Sequence, residues 1–164
     1  MPIDYFSDCK TESKQKEFGL CDDQPPAQNP AYIDQEHSHK WIGIVKNPLE
    51  KNVCFNAIDN CIDIRRSDNT MDSRCDGVLS FQKNLIFVEL KERKGGQWLK
   101  EGREQLTATI KRFKQECDIT QFKSVKGYIC NNLRPLAHAG QAMNIQQFKD
   151  DTGFILEGKQ VIDI

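Results

Sequence analysis

Residues 75–91 read Cys75-Asp-Gly-Val-Leu-Ser-Phe81, then Gln82-Lys83-Asn84, then Leu85-Ile-Phe-Val-Glu-Leu-Lys91. Both longer runs are rich in the β-branched and aromatic residues that favour strands. The three residues between them are too few for any connection except a tight antiparallel turn. This stretch therefore predicts a β-hairpin, and the hairpin decides how the flanking sequence is interpreted.

The second strand of this hairpin is apolar until it ends in Glu89-Leu90-Lys91. Because side chains alternate along a strand, Glu89 and Lys91 emerge on the same face. Asp76, in the first strand, lies opposite Glu89 if residues 81–84 form the turn, and opposite Lys91 if the turn is centred on residues 83 and 84. In either register the three charged groups cluster at the open end of the hairpin.

These three groups are the residue types that a hydrolytic site needs. Two adjacent carboxylates repel each other, and a shared divalent cation relieves the repulsion. Their hard oxygen ligands suit Mg²⁺ or Mn²⁺. A cation can bind a phosphate and neutralise the charge of the transition state, while a neighbouring lysine assists the attacking water. Asp76, Glu89 and Lys91 thus predict hydrolysis of a phosphodiester.

An acid on one strand and acid-x-lysine on the next resemble the signature of the PD-(D/E)XK nuclease superfamily, here Asp76 and Glu89-Leu90-Lys91. The resemblance covers residues 50–130. It implies an α/β fold with a restriction endonuclease-like core, a mixed β-sheet flanked by helices. The implied activity is Mg²⁺-dependent cleavage of DNA, with Mn²⁺ as a substitute cation. The implied metal ligands are Asp76, Glu89 and the backbone carbonyl of Leu90.

Further positions match the superfamily less completely. Gln105 is similar to the inward-facing polar residue that supports the family's site from the following helix, and it completes the predicted catalytic set. Cys75 stands where the motif has proline, and no glutamate is evident on a helix before Asp76. Asp59, which lies among Ala57, Ile58, Cys61 and Ile62, is the candidate for a further metal ligand.

A basic helix is predicted after Gly95-Gly96, because apolar residues recur at three-to-four spacing from about residue 97 to residue 116. Residues 91–114 contain eight basic and three acidic residues, a local charge of +5 in a chain of net charge -1. The segment predicts a nucleic-acid interface, with DNA as the first partner considered. The candidate contacts are Lys94, Lys100, Arg103 and Lys111.

A second interpretation explains the same residues without catalysis. Charge runs of this kind commonly form a solvated helix face. The chain would then be an α/β binding module in which Glu89 and Lys91 form an ion pair, and helix 97–116 engages nucleic acid or an acidic protein partner. Dependence on a metal ion separates the two interpretations.

The flanking sequence is less decisive. Residues 1–40 are interpreted as a polar N-terminal arm, with a loose amphipathic helix over residues 4–18 and an irregular connection over residues 21–40. Residues 41–164 are interpreted as one nuclease-like domain. Within it, residues 53–64 favour a strand, although residues 55–61 could equally form a short helix. Further predictions are a strand at 122–130, a loop at 131–139, a helix at 140–149 and a last hairpin of residues 154–156 and 160–164.

Composition sets the outer limits of these interpretations. The 164 residues are enough for one domain, and 38% are hydrophobic and 29% charged, so neither a membrane protein nor a disordered chain is expected. The first residues lack the basic and apolar regions of a signal peptide. Seven cysteines without a Cys-x-x-Cys pair predict neither a closed disulfide framework nor a zinc ribbon, and favour the reducing cytoplasm. A homodimer is expected if both strands of a duplex are cut.

Overall fold

The computed structural model describes residues 3–23, 25–134 and 141–164, which form two mixed β-sheets and two α-helices. Short 3₁₀ helices lie at Ser38–Lys40 and Ile119–Gln121. In chain order the elements are β1 (Lys10–Ser13), β2 (Glu17–Cys21), β3 (Tyr32–Asp34), β4 (Gly43–Lys46), β5 (Val53–Ala57), β6 (Gly77–Phe81), β7 (Asn84–Lys91), α1 (Trp98–Glu116), β8 (Ser124–Asn131), α2 (Gln141–Thr152), β9 (Ile155–Glu157) and β10 (Val161–Asp163).

The β6–β7 hairpin is confirmed, and its register is that of a turn formed by residues 81–84. Phe81 pairs with Asn84, and the two residues between them, Gln82 and Lys83, have φ values of 47° and 68°. Two consecutive residues with positive φ are the hallmark of a tight two-residue hairpin turn whose twist matches that of the strands. The same register, continued one pair beyond Gly77 and Val88, sets Asp76 opposite Glu89.

The larger sheet has six strands in the order β1-β5-β6-β7-β8-β9. The pairs from β1 to β7 are antiparallel, whereas β8 runs parallel to β7 and β9 runs parallel to β8. A parallel neighbour requires a crossover connection, and α1 and α2 supply the two crossovers. The predicted mixed sheet and α/β class are therefore confirmed.

The two faces of the larger sheet are covered differently. One face packs against the helices, where Leu106, Ile110 and Phe113 of α1 meet Phe87 and Ile129 in one buried cluster. The other face packs against the second sheet, whose four strands have the order β10-β4-β2-β3. Both described helices thus bury their apolar residues on one side of the sheet, and a sheet occupies the side where the sequence analysis also predicted helices.

The N-terminal segment differs most from its prediction. The helix predicted over residues 4–18 is wrong, since these residues contribute β1 and the start of β2. Residues 21–40 contain β3 in addition to irregular backbone. Phe18 and Leu20 are fully buried between the sheets, whereas Tyr5 packs edge-on against Phe113 of α1 at 5.0 Å between ring centroids. The aromatic residues of segment 4–18 therefore pack against two different layers.

The predicted last hairpin is also wrong. β9 joins the six-stranded sheet beside β8, with Leu156 opposite Gly127, and β10 joins the four-stranded sheet beside β4, with Ile162 opposite Val45. The Glu157-Gly158-Lys159 turn signal therefore marks a passage from one sheet to the other. The predicted loop over residues 131–139 lies partly outside the described residues.

Cys9 and Cys61 form a disulfide across a sequence separation of 52 residues, which the cysteine spacing did not indicate. It joins the residue before β1 to the connection between β5 and β6. The other five cysteines are free thiols. No helix in the described part of the chain is both long and apolar enough to span a membrane.

Candidate functional site

Asp76 is held rigidly at the open end of the hairpin. Its backbone carbonyl accepts a hydrogen bond from the Ile58 amide at 2.8 Å, and its Oδ2 accepts one from the Leu90 amide at 2.7 Å. The preceding amide, that of Cys75, donates to the Thr109 hydroxyl of α1 at 2.8 Å. The Asp76 carboxylate thus accepts a hydrogen bond from a β7 amide, as a backbone carbonyl of a paired strand would. Only 6% of the residue is exposed.

Glu89, Lys91 and Gln105 form a connected group beside Asp76. Glu89 is 3% exposed, and its Oε1 lies 3.5 Å from Lys91 Nζ. Lys91 Nζ donates to Gln105 Oε1 at 2.9 Å, and Gln105 Nε2 donates to the Arg74 carbonyl at 3.4 Å. The structure therefore brings the four predicted catalytic residues together, with Gln105 orienting Lys91 from α1.

Two further acids reach the same end of the hairpin. Asp22, directly after β2, lies within hydrogen-bonding contact of Asp76. Asp59, the predicted further metal ligand, accepts hydrogen bonds at Oδ1 from Arg74 Nε at 3.1 Å and from a terminal Arg74 nitrogen at 2.8 Å. Sequence reasoning missed Asp22, because no motif spacing relates it to Asp76 and only the packing of the two sheets joins them.

The crowding of these carboxyl groups in a buried place changes their proton affinity. Burial, followed by the charge of Asp22, raises the pKa of Asp76 to about 7, against the opposing effect of the Leu90 amide. Burial and then the charge of Asp76 raise the pKa of Glu89 well above its ordinary range, and Lys91 opposes them. Burial and the charge of Asp59 raise the pKa of Asp22 to about 6. Without a bound cation, these carboxyl groups therefore favour their protonated, neutral forms.

The donor set fits a hard divalent cation at Asp76 and Glu89. Glu89 Oε2 is buried and has no hydrogen-bond partner among the described residues, which is costly for a charged oxygen. Carboxylate oxygens are the ligands that Mg²⁺ prefers, and it commonly takes only one or two of them together with water and substrate oxygens. Within residues 3–23, 25–134 and 141–164, no three His, Cys, Asp or Glu residues are already arranged around a single metal position.

The predicted nucleic-acid contacts do not gather at this site. Lys94, Lys100 and Lys111 are exposed, whereas Arg103 is half-buried. Lys100 and Arg103 both approach Glu104, at 4.0 and 3.5 Å. On a helix with 3.6 residues per turn, Gln105 lies about 140° around the axis from Lys100. Lys100 and Lys111 therefore lie on the side of α1 away from Gln105, and Lys94 precedes the helix.

Comparison of the chain with protein-family models, curated proteins and solved structures found no match in any of the three.

Proposed function

We propose that the chain is a metal-dependent phosphodiesterase that cleaves nucleic acid, with DNA as the first substrate to test. The observation that carries this proposal is the meeting of two buried carboxylates, Asp76 and Glu89, with Lys91 at one end of two paired strands. Buried acids with perturbed pKa values next to a specific charged partner are typical of functional sites.

The charge balance of the site supports a bound cation. Asp76 and Glu89 supply two buried carboxyl groups, and among the described residues Lys91 supplies an ammonium group within reach of Glu89. Arg74, whose carbonyl bonds to Gln105, has its guanidinium group bound to Asp59. A divalent cation would supply the missing positive charge and remove the cost of burying the acids.

Each residue has a role that follows from its contacts. Asp76 and Glu89 would hold the cation, with the Leu90 carbonyl as a further oxygen ligand, and the Leu90 amide fixes the Asp76 carboxylate. When bound, the cation would supply Lewis-acid activation of water and of the phosphate. Lys91 would stabilise negative charge developing on the phosphate, and Gln105 holds its ammonium group in position.

The connectivity around the site also supports a restriction endonuclease-like core. Three antiparallel strands, β5, β6 and β7, precede α1, and the strand that follows it, β8, is parallel to β7. Asp76, directly before β6, and Glu89-Leu90-Lys91, at the end of β7, agree in order with the acid and acid-x-lysine of the superfamily signature. The second sheet, in place of helices on that face, is the departure from the expected core.

A non-catalytic α/β binding module is the second candidate, and the Lys91–Glu89 ion pair of 3.5 Å favours it. In that interpretation the pair completes a structural network with Gln105, and α1 contacts nucleic acid or an acidic protein. It leaves the buried Asp76 carboxyl and Glu89 Oε2 without a role, and the two candidates differ in their need for metal.

The deciding experiment incubates the full chain with linear duplex DNA, single-stranded DNA and RNA in Mg²⁺, Mn²⁺ or EDTA. Cleavage should require a cation, and Asp76→Asn and Glu89→Gln should each lower the rate by about 100-fold or more, because each removes a charge that holds the cation. Asp63→Asn, at an exposed surface ion pair, is the matched control and should cleave as wild type does. Metal-dependent cleavage that survives both site variants would contradict the assignment.

The basic side of α1 is tested separately. Replacing Lys100, Arg103 and Lys111 by glutamine should weaken DNA binding and flatten its dependence on salt, because fewer counterions are released on binding. A gel-shift titration in Ca²⁺ at two salt concentrations measures both effects. Unchanged affinity and salt dependence would show that these residues are only a solvated face.

A further inference from the structure

The second sheet lies directly against the end of β7. Leu20 of β2 pairs with Gly43 of β4, and a Cβ atom at Gly43 would lie 3.5 Å from the Leu90 side chain and 3.2 Å from Cys130 Sγ. The glycine therefore allows the two sheets to approach closely at this point. β2 ends at Cys21, and the residue that follows, Asp22, lies at the open end of the hairpin.

Asp76 is the common neighbour of Asp22 and Glu89. Its carboxyl group lies in hydrogen-bonding contact with that of Asp22, and it also interacts with the buried Glu89. Two carboxyl groups in contact must share either a proton or a cation, because two ionised ones repel. Independently of this contact, Glu89 Oε2 is buried without a hydrogen-bond partner among the described residues and calls for a positively charged ligand.

We propose that Asp22 is a third carboxylate of the cation-binding site, so that the second sheet supplies part of the site. This inference rests on the proposed function and extends it to a residue outside the hairpin. Asp59 is a weaker choice, because its Oδ1 is already bound by two nitrogen atoms of Arg74.

The arrangement does not require all three carboxylates to meet at one point. Asp76 lies between the other two in the chain of contacts, so each outer carboxylate shares it as a partner. Neighbouring pairs of carboxylates are sufficient for cations such as Mg²⁺ and Mn²⁺, which complete their coordination with water and substrate oxygens. Asp22 therefore contributes affinity even though no three-residue metal group is preformed in the described residues.

The test is calorimetric titration of the metal-free full chain with Mn²⁺. Asp22→Asn should weaken Mn²⁺ binding by about 10-fold or more, within the range seen when a group that supports a metal site is removed. Asp23→Asn makes the same change in charge and shape at the next residue, an exposed aspartate that bonds to Asn29 and Tyr32. It should keep the dissociation constant within about twofold, because its exposed charge is screened by solvent.

A second variant and a stability measurement guard against misfolding. Asp22→Glu keeps a carboxylate and should retain more affinity than Asp22→Asn, and metal-free Asp22→Asn should melt no lower than wild type because it loses a repulsion. If Asp22→Asn binds Mn²⁺ as wild type does while Asp76→Asn does not bind, the inference is overturned and the proposed function stands. Equal weakening by Asp22→Asn and Asp23→Asn also overturns it. A wild-type chain that binds no Mn²⁺ overturns both.

Discussion

The two ends of the β6–β7 hairpin are built on different principles. At the turn end, Gln82 and Lys83 are exposed, and the Asn84 side chain bonds locally to the carbonyls of Phe81 and Gln82, with further bonds to Lys83 and Asn84 from Lys123 and Ser124. At the open end, Asp76 and Glu89 are buried and receive neighbours from β2, from α1 and from the connection after β5. Short-range chemistry sets the turn, whereas the whole fold sets the charge environment at the other end.

The largest expected effect is on the cleavage rate, and it should differ between two lysines of the same hairpin. Lys91→Ala should lower kcat by about 100-fold or more, since it removes a charge aimed at the developing phosphate charge, while leaving Mn²⁺ affinity nearly intact. Lys83→Ala, at the exposed turn, should cleave as wild type does. Single-turnover cleavage and Mn²⁺ titration measure the two properties. Wild-type activity in Lys91→Ala would favour the structural ion pair instead.

Removal of the Cys9–Cys61 disulfide should have the next largest effect, this time on stability. The bridge ties the start of β1 to the connection that carries Asp59, over a separation of 52 residues. A double Cys9→Ser, Cys61→Ser variant should lose about 2 to 4 kcal/mol of unfolding free energy, because the unfolded chain regains the entropy of an open loop. Urea unfolding measures the loss, with the free thiol variant Cys54→Ser as control. An unchanged midpoint would contradict a stabilising bridge.

The raised pKa values at the open end predict an unusual pH dependence for the metal-free protein. Because burial and Asp22 raise the pKa of Asp76 to about 7, the folded state holds a proton that the unfolded state releases near pH 4. Stability is therefore fully present below about pH 4 for this group and is lost as pH rises through about 7.

Urea unfolding in EDTA should accordingly show a loss of about 1 to 3 kcal/mol between pH 5 and pH 8. Asp76→Asn should flatten this slope, since the amide does not titrate, and Mn²⁺ should oppose it by binding the ionised carboxylates. A metal-free wild type that gains stability between pH 5 and pH 8 would contradict the raised pKa of Asp76.

The same contrast explains what the sequence could and could not predict. Strand alternation and a short turn are local, so they were enough to bring Asp76, Glu89 and Lys91 together, whereas the resemblance to the superfamily pointed to Gln105. Asp22 reaches Asp76 through the packing of one sheet on the other, which is close at Gly43. No periodicity within a segment carries that information.

Pairing between distant strands escaped prediction for the same reason. The short strands β9 and β10 look like a hairpin because a turn signal separates them, yet each finds a parallel partner in a different sheet. β1 likewise pairs with β5, a strand from the middle of the chain. Strands of three or four residues are weakly specified by their own sequence, and their position is set by the strand and the sheet face against which they pack.

The smallest expected effect is at the turn itself. Gln82 and Lys83 adopt φ values of 47° and 68°, a conformation that costs a residue with a Cβ atom about 1 to 2 kcal/mol. Glycine avoids this cost but loses about 0.5 to 1 kcal/mol of additional chain entropy on folding. Gln82→Asn with Lys83→Gly should therefore stabilise the protein by about 0.5 to 1 kcal/mol, as the favoured Asn-Gly pair of such turns does.

Neither substitution removes a hydrogen bond that holds the turn in place. The Lys83 carbonyl accepts from the Lys123 amide at 2.7 Å and the Gln82 carbonyl accepts from Asn84, so backbone atoms alone are used at both residues. Urea unfolding measures the gain, and Lys83→Ala, which keeps a Cβ atom, should show none. Cleavage and Mn²⁺ affinity should not change, because the open end is fixed by contacts from other elements. A change in the cleavage rate or in Mn²⁺ affinity would show that the two ends of the hairpin are coupled.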